Sequence, residues 1–170
     1  MILVPTGDAP HKRIDPEPGA EVRLELARAS VEGEQLLEVS DLEVRRDGPS
    51  YTYLTLEQLR DLHPGDDLVF LAGADSVSDF ERWEQPRRVL ELGRLGVAAR
   101  PGASLEEVEA ALDRLGGGAR MDVIEMPPVD VSSTAVRERV AGGQALTGLV
   151  PGAVASLIDE RGLYREAVRA

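Results

Sequence analysis

The hydroxyls and cations of three short stretches are spaced in a way that suits phosphate chemistry. At 131 to 140 the chain reads VSSTAVRERV. Ser132, Ser133 and Thr134 open a helix whose first-turn N–H groups lack intrahelical acceptors and can meet an anion. Arg137 follows one turn later, where its planar fork of donors reaches phosphoryl oxygens. Arg139 points about 200 degrees away from it around the helix. The same letters also read as an N-cap followed by solvated arginines, and they lack the glycine run and lysine of a Walker A loop. PTGDAPHK at 5 to 12 sets His11 and Lys12 after a compact turn. Lysine is a mobile point charge suited to polyphosphate and histidine a hydrogen-bond donor to it, although ordinary surface loops carry such pairs too. Arg100, in RPG at 100 to 102, either joins the same edge or simply ends a strand.

A second set suits a sugar and a ring. In LAGADSVSDFERW at 71 to 83, Asp75 falls just past an apolar run, at the C-terminal edge where open α/β sheets bind ligands. Its carboxylate could accept from sugar hydroxyls, and Trp83, the single tryptophan, offers a stacking face. A helix cap at Asp75 and core packing at Trp83 explain the same residues equally well. Tyr51 and Thr52, in DGPSYTYLTL at 47 to 56, line a cleft or cap and pack a helix. Neither His11 nor His63 has a partner at metal-ligand spacing, carboxylates are too common to nominate a site, and there is no cysteine to form a disulfide, a thiolate site or a nucleophile.

Alternating strands and helices must hold these groups in place. Residues 2 to 4 read as the end of a strand, and 20 to 31 as a helix with Val22, Leu26 and Ala29 on one face and Gly33 as its stop. Residues 36 to 44 read as extended, in one or two pieces. Leu56 and Leu59 mark a helix that has ended by His63-Pro64. LVFLAG at 68 to 73 has the continuous apolar character of a strand covered on both faces. Short helices follow at 76 to 82 and 87 to 92, then a strand at 95 to 99. Ser104 and Glu107 have the spacing of a capping box for a helix to 115. After GGG at 116 to 118 comes the strand MDVIEM. The last helix has Pro151 near its start and Val154, Leu157 and Ile158 toward the core. This order predicts an α/β fold, a single domain over 1 to 170 around a mainly parallel sheet flanked by helices.

Composition narrows the partners. The formal net charge of -12 argues against broad nucleic-acid binding and leaves room for a local basic pocket. Apolar runs are far shorter than the roughly 20 residues of a membrane span, and the start has no secretory pattern, so the expected location is the cytoplasm. With 42% apolar but only 4% aromatic residues, the core must be built mostly from Leu, Val and Ala.

Taken in order, VPTGDAPHK, GPSYTYLTL, GADSVSDFERW, ARPG, VSSTAVRERV and LVPGAVASLIDERGLYR resemble the bacterial nicotinate-nucleotide adenylyltransferases over residues 3 to 165. That resemblance implies a Rossmann-like fold and transfer of AMP from ATP to nicotinate mononucleotide, with Mg2+ as cofactor. It assigns Ser132, Ser133, Thr134 and Arg137 to the ATP-phosphate motif, Lys12 with His11 to the early phosphate side, and Arg100 to the nucleotide cleft. Asp75 would meet sugar hydroxyls, Trp83 would stack on the pyridine, and backbone amides around Thr52 to Tyr53 and beside Trp83 would hold the nicotinate carboxylate, with Tyr51 on the same substrate side. Lys12 and Arg137 are its catalytic candidates. The family opens with a strand and a histidine, any residue, glycine, histidine motif. This chain begins at what resembles the family's second strand, which raises the expectation that Met1 is not the biological start and that the 170 residues turn over little. The alternatives are a catalytically impaired nucleotide-binding fragment, or an adenylyltransferase for nicotinamide mononucleotide or phosphopantetheine. Nothing in the sequence sets the oligomeric state.

Overall fold

The computed structural model describes residues 1–9, 18–99, 105–115, 121–127, 129 and 131–165. They divide into two compact units, one of Met1–Ser50 with Asp130–Ala170 and one of Tyr51–Val129.

In the first unit, β1 (Ile2–Leu3) pairs in parallel with β2 (Glu38–Val39), Ile2 opposite Glu38 and Leu3 opposite Val39. The connection between them carries α1 (Ala20–Ser30), and Gly33, at φ +85, supplies the left-handed turn after it. The expected apolar face of α1 is only half right. Leu26 and Ala29 pack toward the interior, but the residue with no exposure is Leu24. The second half of 36 to 44 is corrected from extended to helical: α2 (Leu42–Arg45) starts there. Its turn is closed by the Arg45 N–H on the Asp41 carbonyl at 2.9 Å, and the Arg45 side chain reaches the Asp41 carboxylate one turn back at 3.4 Å. Near the other end of the chain, α7 (Ser133–Ala141) and α8 (Gly152–Glu160) enclose Val136, Leu146, Val154 and Ile158. Leu157 is only partly buried.

The second unit is a three-stranded parallel sheet in the order β3 (Val69–Gly73), β4 (Arg94–Ala99), β5 (Met121–Glu125). The predicted helix over 56 to 62 is α3 (Thr52–Leu62), with His63 as its C-cap. The helix expected at 76 to 82 is broken into α4 (Ala74–Val77) and a 3-10 turn at Phe80–Arg82, and α5 spans Pro86–Leu92. With α6 (Leu105–Arg114), these bury one sheet face around Val77, Phe80, Val89, Leu95, Val97 and Val108. The capping Ser104 and the triple glycine lie outside the described residues.

Strand β3 is a correction. It was expected to be covered on both faces, yet Phe70 and Ala72 turn to the core while Val69 and Leu71 remain 42% and 46% exposed. Among the described residues β3 pairs only with β4, and its side chains alternate between core-facing and exposed in the manner of a one-sided sheet. Gly96 makes that face possible. A Cβ there would lie 2.5 Å from Leu71 Cδ2 and 3.1 Å from Val69 Cγ1, so the two side chains fold into the space it leaves. Among the described residues all strand pairings are parallel, as expected, and they fall in a two-stranded and a three-stranded sheet. No helix among the described residues is long and apolar enough to cross a membrane.

Candidate functional site

The hydroxyl-rich segment is both a cap and a cavity wall. Ser132 has the extended backbone of an N-cap, and its Oγ accepts the Ala135 N–H at 3.1 Å, so the structural reading of this residue holds. The cap consumes one first-turn donor and leaves the amides of Ser133 and Thr134 directed out of the helix start. Arg137 donates from Nη2 to Thr134 Oγ1 at 3.2 Å, which steers its guanidinium back toward that same end. Arg139 leaves in another direction, toward the Ala145 carbonyl at 3.4 Å.

Ser132, Ser133 and Arg137 line one cavity of about 400 Å³, together with Arg23 and Tyr164. Leu26, Val150, Val154 and Ile158 contribute apolar lining to it. Thr134 is not part of the lining; it braces Arg137. No carboxylate lines the cavity among the described residues, so a strongly acidic chain holds a locally cationic pocket with a helix N-terminus in its wall.

Arg23 and Tyr164 are not among the residues that the sequence nominates for the site, although Tyr164 falls in the family-like ending GLYR. Arg23 donates to the Thr6 carbonyl through Nη1 and to the Gly7 carbonyl through Nη2, the latter at 3.0 Å. It thereby ties α1 to the PTGD turn, and the Gly7 N–H adds a bond to Ser50 Oγ at 3.0 Å. Only glycine fits at position 7, because a Cβ would fall 2.1 Å from the Glu43 carbonyl oxygen. His11 and Lys12, beyond this turn in the chain, lie outside the described residues, as does Arg100. For Tyr164, burial pushes the phenol above its ordinary range, against the lowering pull of Arg137 and Arg23.

The second unit carries the other predicted set. Trp83 packs edge-on against Phe70, with centroids 5.7 Å apart at 82°, and tilted against Phe80 at 5.1 Å. It is only partly buried, so core packing holds the indole and leaves part of it accessible. Tyr53 packs on the same core cluster and stacks with Tyr51 at 6.1 Å and 17°. Tyr51 is the N-cap position of α3 and makes no side-chain cap bond, which leaves the first-turn amides, Thr52 and Tyr53 among them, for another acceptor. Asp75 is not a cap either: the N-cap of α4 is Gly73. Its carboxylate is exposed at the C-terminal end of β3.

Residues 1–139 match the family model described as cytidylyltransferase-like. The protein named "Probable nicotinate-nucleotide adenylyltransferase" from Clostridium tetani (strain Massachusetts / E88) is 35% identical over 167 residues, 97% of this chain and 84% of the relative. The one from Roseiflexus sp. (strain RS-1) is 37% identical over 170 residues, 97% and 82% of the two chains. The chain belongs to the nicotinate-nucleotide adenylyltransferase family. Its α/β fold is also that of Plasmodium falciparum nicotinic acid mononucleotide adenylyltransferase complexed with NaAD, at a TM-score of 0.73 and 16% identity, covering 96% of this chain and 81% of that one. The same Plasmodium protein complexed with APC gives 0.71 and 15%. In this adenylyltransferase-family chain, the first unit offers cations, hydroxyls and free amides beside an apolar wall. The second offers an exposed carboxylate, an accessible indole and an uncapped helix start.

Proposed function

We propose that this chain transfers AMP from ATP to nicotinate mononucleotide, giving nicotinate adenine dinucleotide and pyrophosphate, and that it does so in the cytoplasm. The observation that carries the reading is the cavity in which the start of α7 and Arg137 meet, with no carboxylate among its described lining residues. An oxygen of the mononucleotide 5'-phosphate attacks the α-phosphorus of ATP, the bond from that phosphorus to the bridging oxygen breaks, and pyrophosphate leaves with the electron pair. The attacking group is already an anion, so no side-chain nucleophile is required. The protein has to align the two phosphates and offset the growing charge.

In this assignment Ser132, Ser133 and Arg137 hold the ATP phosphates and Thr134 orients Arg137. His11, Lys12 and Arg100 serve the same nucleotide. Asp75 accepts from the ribose hydroxyls of the mononucleotide, Trp83 stacks on its pyridine, and amides of Thr52 and Tyr53 take its carboxylate, with Tyr51 beside them. The donor set does not suit a protein-held metal. Among the described residues no group of three or more His, Cys, Asp or Glu could hold one, and the cavity lining is cationic. Mg2+ therefore belongs with ATP, bound through its phosphates as substrate.

The test is pyrophosphate release with ATP and nicotinate mononucleotide, alongside calorimetric binding of each. Release should require both nucleotides, and Arg137→Ala should lower it about 100-fold. Release indifferent to the mononucleotide, or binding of neither nucleotide, would sink the proposal.

A further inference from the structure

The end of α8 places a tyrosine where the backbone resists it. Gly162 and Tyr164 both have left-handed backbones, at φ +61 and +59. Glycine adopts that conformation freely, whereas tyrosine is strained in it, and such strain persists only where surrounding contacts over-determine it. Those contacts are present. The Leu163 N–H donates to the Ile158 carbonyl at 3.0 Å, and Arg165 on the other side donates to the Asp159 carboxylate at 2.6 Å and the Asp159 carbonyl at 3.0 Å. Clamped on both flanks, Tyr164 packs its ring against the Val136–Ile158 cluster and lines the same cavity as Ser132, Ser133, Arg23 and Arg137.

Packing alone asks for an aromatic ring and nothing more. Yet the phenol lies in the field of two guanidiniums, burial outweighs their pull, and like an ordinary phenol it is protonated at neutral pH. It is therefore a hydrogen-bond donor in a pocket whose other polar groups are all suited to anions.

We propose that Tyr164 is a further ligand-contacting residue of the ATP site, its O–H donating to a phosphate oxygen of the nucleotide that Arg137 holds. This rests on the reading of the cavity as the ATP site. Phenylalanine keeps the ring and deletes the donor, so Tyr164→Phe isolates the hydroxyl. Calorimetry should show ATP binding weakened about tenfold, as expected for a bond to a charged acceptor, with nicotinate mononucleotide affinity and the thermal midpoint unchanged. ATP affinity within about twofold of the parent, or a general loss of both affinities together with a lower midpoint, overturns the proposal. Adenylyl transfer is followed separately. A parent chain that binds ATP without turning it over refutes the activity, while the comparison of the two ATP affinities still decides the role of Tyr164. A parent that does not bind ATP overturns both.

Discussion

Ser132 and Ser133 are adjacent, chemically identical and set apart by one hydrogen bond. Ser132 Oγ satisfies the Ala135 N–H, so Ser132→Ala should lower stability by about 1 kcal/mol, read as a shift in the denaturant midpoint. Ser133 is already inside the helix and caps nothing, yet it lines the cavity. Ser133→Ala should leave the midpoint in place and weaken ATP binding. Equal midpoint shifts for the two variants would remove the distinction. At this scale the sequence was informative because capping and anion binding draw on the same residue types. For the same reason it could not say which serine does which, since that depends on where each Oγ points.

At the scale of elements, local pattern located most helices and strands but misjudged those whose character depends on neighbours. LVFLAG has the composition of a strand buried twice over, yet β3 turns Phe70 and Ala72 to the core and leaves Val69 and Leu71 exposed. LEV at 42 to 44 alternates like a strand, yet Asp41 and Arg45 close a helical turn around it. The geometry of the PTGD turn rests on Gly7. Gly7→Ala would drive a methyl into the Glu43 carbonyl and should cost about 1–3 kcal/mol, seen as a lower denaturant midpoint. An unchanged midpoint would mean that the turn relaxes freely around the added methyl.

For the whole molecule, charge and pH response separate the global from the local. The net charge is -12, while the cavity is lined by Arg23 and Arg137; an average over the chain conceals a pocket of opposite sign. Tyr164 links that pocket to stability. Its folded pKa lies above the unfolded value of about 10, so its contribution is complete below that value and is lost as pH rises through the folded one. Between these limits the parent should lose stability more steeply than Tyr164→Phe, with the two alike at pH 7; parallel curves above pH 10 would contradict the burial of this phenol. Sequence was enough for the α/β class, the parallel pairing and the hydroxyl-rich helix start, because periodicity and capping report on neighbours within one turn or one pleat. The cavity itself was settled by the tertiary structure alone. Arg23 and Tyr164 reach it from opposite ends of the chain, and their places depend on backbone carbonyls, a left-handed turn and helix packing that leave no periodic trace in the residues.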